Sequence, residues 1–124
     1  MRYTLLLHYP EMAGELDDET VRAGQEAFAS YAATLHAAGV LVAAEVLQPS
    51  HASTTVRMVD GALRVQDGPF ADSKDQLGGT VVVDVADLDA ALGWAAQAPN
   101  VTWVAVEVRP GATHVVDGRW VPNA

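Results

Sequence analysis

The chain has no cysteine in its 124 residues. That excludes disulfide bonds, thiolate metal sites and any cysteine nucleophile. Basic residues are scarce: 7 Lys and Arg stand against 16 Asp and Glu, for a formal net charge of −9. Such a chain repels phosphate backbones, and its few bases form no cluster that reverses the sign locally. Nucleic-acid binding is therefore not expected. Long apolar runs are missing as well. The opening MRYTLLLHYPEMAGE reaches His8 and then acids after a brief apolar stretch, too short for a signal peptide. No later segment approaches the roughly 20 residues that span a bilayer. A soluble, cytoplasmic protein with no membrane partner is the expectation.

Recognisable chemical motifs are absent too. The sequence contains no G-x-S-x-G elbow, no H-E-x-x-H, no phosphate-binding G-x-x-x-x-G-K-[ST] and no dinucleotide fingerprint. His8, Glu45 and His51 are isolated singletons without metal-ligand spacing, so neither a metal nor a cofactor is expected.

What remains is a chain half of whose residues are hydrophobic, long enough for one domain with a real core. Residues 2–9 alternate about Tyr3, Leu5, Leu7 and Tyr9 and read as a strand. Asp17 is placed as an N-cap, with Leu16 and Val21 as a hydrophobic staple. The helix it opens runs to about His36, with Val21, Phe28, Ala32 and Leu35 on one stripe, and Gly39 stops it. A second strand covers roughly residues 40–47. Two β-prone runs around Asp60-Gly61 predict a hairpin, because Asp-Gly tolerates the positive backbone angles of a type I′ turn. LGGTVVVDV is a third main strand. A short helix follows, with Leu88, Ala91, Leu92 and Ala95 inward and Pro99 ending it. VTWVAVEVR is the last main strand, and the tail 111–124 carries a second Asp-Gly that suggests a small hairpin.

The order β-α-β, hairpin, β-α-β predicts an α+β fold over residues 1–124: a ferredoxin-like split βαβ with an inserted β-hairpin. Both helices then lie on one face of an antiparallel sheet, ordered last, first, third, second. The other face has no helix, and its apolar members Leu6, Ala43, Val82 and Ala105 predict a homodimer.

The stretch DGPFADSKDQLGG, preceded by STTVR and followed by VVVDVADLDAALGWA and VEVRP, resembles the YciI-related proteins of the DGPF subgroup. The resemblance covers the chain to about Pro110. It implies a dimeric α+β barrel, in which ferredoxin-like protomers pair through their open sheet faces. The YciI proteins are proposed to use a His and Asp dyad; aligned on LHAAG, the corresponding positions here are Phe28 and Ala37. Neither transfers a proton, so chemistry must come from other residues or be absent.

The topology brings a different set together. His8, Glu45, Thr80 and Trp103 are expected in one row on the open face. Adjacent strands lie ~4.8 Å apart, so His8 and Glu45 would stand about 10 Å from each other, bridged by a ligand or by water. Loops 47–53 (His51) and 67–79 (Asp67, Lys74) open at the same end. Each residue has a plain structural alternative. His8 can serve a single hydrogen bond, Glu45 an intersubunit ion pair, and Arg57 a pairing with Glu45 or Asp67. His51 and Lys74 can be solvated, and Trp103 can be packing. Two functions stay open. One is a cofactor-free lyase or isomerase in which His8 or Glu45 shuttles a proton, Thr80 and Asp67 orient an unidentified small molecule and Trp103 walls the pocket. The other is a non-catalytic ligand-binding or regulatory interaction module.

Overall fold

The computed structural model describes residues 1–10 and 16–124. Its centre is β1 (Arg2–Pro10), in which Tyr3, Leu5 and Leu7 are buried and the residues between them are half-buried. Asp17 caps α1 (Asp18–Ala37), its carboxylate accepting from the Thr20 amide at 2.7 Å. Gly39, at φ +72°, turns the chain into β2 (Leu41–Val46). Leu16 and Val21 remain exposed, so the expected staple is not a buried contact.

After a 3₁₀ turn at Ser50–Ala52, β3 (Thr54–Val59) and β4 (Ala62–Asp67) form the inserted hairpin. Asp60 (φ +50°) and Gly61 (φ +78°) both take the positive angles that a type I′ turn demands. β5 (Asp75–Asp84), α2 (Leu88–Ala95, capped by Asp87) and β6 (Ala105–Pro110) complete the second half. The tail is β7 (Thr113–Val116) and β8 (Arg119–Pro122), joined through Asp117 (φ +50°) and Gly118 (φ +77°). The Asn123 side chain ties this tail to β1: it accepts from the Arg2 amide at 2.8 Å and donates to the Arg2 carbonyl at 2.9 Å.

The main sheet has the order β2-β5-β1-β6, antiparallel throughout. The fold is therefore α+β and ferredoxin-like, with the predicted strand order. One face carries both helices. There Tyr31 and Leu35 of α1, and Ala91 and Ala95 of α2, pack with Tyr3, Leu5, Leu7, Val81 and Val83. Alternation puts Leu6, Ala43, Val82 and Ala105 on the opposite face.

Three details differ from expectation. In α2 the buried stripe is Ala91 and Ala95, while Leu88 and Leu92 are exposed. Alanines let this helix approach closely enough for the Tyr31 hydroxyl to donate to the Trp94 carbonyl at 2.8 Å. β6 begins four residues later than read, because Pro99–Thr102 forms a 3₁₀ turn instead of strand. The third main strand begins at Asp75, two residues earlier than read.

Burial pushes the Tyr31 hydroxyl up to about 12. A raised value means that the folded state holds the proton more tightly. The stability this gives is complete below pH 10 and is lost as pH rises through about 12. Tyr31→Phe should cost about 1 kcal/mol at neutral pH, since the Trp94 carbonyl keeps the Gln97 amide as a second donor. Denaturant melts at pH 7 and pH 11 check both points. Alkaline destabilisation equal in wild type and variant would show that Tyr31 is not its source.

Among the described residues no helix is long and apolar enough to cross a membrane.

Candidate active site

The open face of the sheet is set by register. Glu45 opposes Thr80, Thr80 opposes Leu6, and Leu6 opposes Glu107. That row holds two of the expected residues, Glu45 and Thr80, but neither His8 nor Trp103. Leu6, two residues before His8, is the residue that opposes Thr80, so His8 lies beyond the row. A β-bulge follows: Leu7 pairs with Gly79 and His8 with Leu77, so Gly78 is the extra residue. The Gly78-Gly79 pair thus forms the bulge through which β5 enters the sheet. Trp103 follows the 3₁₀ turn and precedes β6, and the row's place on that strand belongs to Glu107, four residues on. Trp103 is 53% exposed and meets Phe28 edge-on, with centroids 6.2 Å apart. Phe28, where the resemblance would set a histidine, makes an aromatic contact instead.

His8 has found a partner that the sequence reading missed. Its Nε2 lies 3.3 Å from Glu107 Oε1, and the other oxygen of Glu107 is hydrogen-bonded by the Arg109 guanidinium. Glu107 opposes Leu6, two residues before His8 on the same face, which makes it a diagonal neighbour within reach of long side chains. The Arg109 bond first, and the His8 bond second, hold its carboxyl below the usual range. It consequently stays an ionised acceptor into mild acid. The signal was present in VAVEVR: its alternation puts Glu107 and Arg109 on one face with Ala105, His8's neighbour.

The backbone behind His8 is fixed by Asn100, which is 2% exposed. Its amide donates to the His8 carbonyl and to the Ala105 carbonyl, both at 3.1 Å. This bond pair closes the 3₁₀ turn against the end of β1 and sets where β6 begins.

Glu45 is exposed rather than buried, because β2 is an edge strand and nothing among the described residues covers this face. Among the described residues its carboxylate has no hydrogen-bond or ion-pair partner. Arg57 pairs with neither Glu45 nor Asp67; its guanidinium sits 5.8 Å from the Phe70 ring centroid.

The DGPF stretch builds a second, separate feature. Gly68, at φ +96°, donates its amide to the Ser53 carbonyl at 2.8 Å and accepts from the Thr55 hydroxyl at 2.8 Å. A shallow depression open to solvent lies there, lined by Ser50, His51, Asp67, Gly68, Pro69 and Asp72. The Asp67 carboxylate makes no hydrogen bond among the described residues, and Lys74 is exposed. No hydrogen bond or ion pair joins this loop to His8 or Glu45 among those residues. Nor do three His, Asp or Glu side chains among them converge where a metal ion could be held.

The arrangement on the open face can do proton chemistry. Glu107 accepting from Nε2–H fixes one imidazole tautomer and leaves the Nδ1 lone pair as a base. Arg109 holds Glu107 in place, and Leu6 supplies an apolar neighbour.

Comparison with known proteins agrees with this fold. Residues 1–113 match the YCII-related domain, which leaves most of the β7–β8 tail outside the match. A relative, uncharacterized protein R00369 of Rhizobium meliloti (strain 1021), is 40% identical over 79 residues, covering 62% of this chain and 64% of that protein.

Proposed function

The chain belongs to the YCII-related family, and on that premise we propose that it is a DGPF-type member acting as a cytoplasmic homodimer. Its reaction is a cofactor-free proton transfer on a small molecule, of lyase or isomerase type, in a pocket between two facing sheets. The observation that carries this reading is the His8–Glu107–Arg109 chain on the uncovered sheet face. His8 Nδ1 takes a proton from a carbon beside a carbonyl. The electron pair left behind either re-forms a bond at another carbon, which the imidazolium reprotonates, or expels a leaving group that takes that proton. Glu107 positions the ring, while Thr80 and Glu45 line the approach along the next row.

The test is hydrogen exchange at carbon. The protein is incubated in D2O with a panel of 2-oxo acids, β-keto esters and unsaturated lactones, and loss of the C–H signals is followed by NMR. At least one compound should exchange. His8→Gln should slow that exchange by about 10²–10⁴-fold, the usual worth of a general base. Glu107→Gln should slow it less, and Glu107→Asp should restore part of the loss. Chemical-shift perturbation without exchange would make the protein a ligand-binding module instead. No perturbation and no exchange across the panel would overturn the proposal.

A further inference from the structure

The β3–β4 hairpin has one apolar face and one polar face, yet the described residues leave the apolar face bare. The register Val56↔Val65 and Met58↔Leu63 puts four aliphatic side chains on one side. Each of them is between 63% and 66% exposed. Thr55, Arg57, Arg64 and Gln66 occupy the other side. Such alternation is the pattern of strands with one face buried. A two-stranded hairpin left alone in water is marginally stable at best.

The same chain carries a second uncovered surface, the helix-free face of the main sheet, with Leu6, Ala43, Val82 and Ala105. The two surfaces match in size. Each hairpin strand is six residues long, roughly 20 Å, and four sheet strands are about 15–19 Å across. We propose that the hairpin is an arm exchanged between two copies of this chain. Its apolar face lies over the open sheet face of the second copy and provides a wall, Met58 and Leu63, of the site that contains His8. This rests on the dimeric reading above and specifies what completes its pocket.

Area favours a second copy over another partner. Four largely exposed aliphatic side chains offer roughly 400 Å² per arm. Two arms on two faces then bury about 1,600 Å² in total, the size of a standard stable interface. One two-fold axis satisfies both surfaces on both chains and leaves neither over.

The experiment is sedimentation of wild type, Met58→Glu and Leu63→Glu at micromolar concentration. Wild type should be a dimer, and each variant should weaken dimerisation by about 100-fold, as expected for a charge placed in an apolar contact. Their circular dichroism should stay native, since both positions are exposed in the single chain. The absence of cysteine gives a second readout. Met58→Cys should react with maleimide at least about ten-fold more slowly in the dimer than after dilution below the dissociation constant. Dimeric variants of unchanged affinity would overturn the arm and leave the dimer standing. A monomeric wild type would overturn both. Should the charged variants fail to fold, equal labelling rates in dimer and monomer would overturn the arm.

Discussion

Gly79→Ala is expected to destabilise the protein by about 2–3 kcal/mol and to loosen the edge strand β2. A Cβ at this position would stand 2.6 Å from the Glu45 carbonyl oxygen and 3.4 Å from both Val46 Cα and Leu7 Cδ1. The first two are backbone atoms, which cannot rotate aside, so β2 itself must shift. Among the described residues β5 is its one neighbour in the sheet, and a shift there weakens the hydrogen bonds that hold it. Gly78→Ala is the contrast. Its Cβ would meet side-chain atoms of the Tyr9 ring rather than backbone, so the loss should be smaller. Urea melts of both variants, with amide exchange of residues 41–46, measure the difference. A Gly79→Ala protein within about 0.5 kcal/mol of wild type would show that β2 yields freely. The same strand carries Glu45, so the substitution also displaces that carboxylate from its place beside Thr80.

Asn100→Ala should cost about 2–4 kcal/mol. The side chain is 2% exposed, and its amide satisfies two main-chain carbonyls at once, His8 and Ala105. Truncation strands both acceptors in a buried place, and each lost partner is worth roughly 1–3 kcal/mol. Asn100→Asp should be worse, because a carboxylate would face two carbonyl oxygens. Beyond stability, the change frees the strand end that aims His8, so catalysis in the exchange assay should fall with the melting temperature held well above the assay temperature. A protein that melts like wild type would show that water replaces the amide without loss.

Local rules carried most of the fold. Asp17 caps α1, and both Asp-Gly pairs form their turns, because each outcome depends on neighbours a few residues away. The order of the main sheet also follows from the sequence, since alternating runs and two crossover helices leave few topologies. The candidate site was harder to read. The row containing His8 and Trp103 depended on how neighbouring strands are offset, and the pairing sets Leu6 rather than His8 opposite Thr80 and Glu107. Trp103 lies in an apolar run that reads as strand, but Asn100, through bonds to a residue 92 positions away, holds the preceding segment in a 3₁₀ turn. No propensity scale contains that bond. The inward face of α2 was misread because leucines outrank alanines in hydrophobicity, whereas the sheet admits only small side chains there. Glu107 was overlooked although its parity with Ala105 placed it beside His8.

The central place of β1 also governs how the chain must fold. Leu5 pairs with Val81 on one side and Val108 on the other. β1 is synthesised before both partners and therefore waits for them. At about 5–20 residues per second, β1 keeps at least one open edge on the ribosome for roughly 5–20 s before β6 emerges. The β3–β4 hairpin, by contrast, needs only its own residues and closes in microseconds. Contacts so distant in sequence put refolding in the slow range for small mixed domains, milliseconds and longer. During that interval β1 is the segment most open to capture by a chaperone or by the same strand of a neighbouring chain.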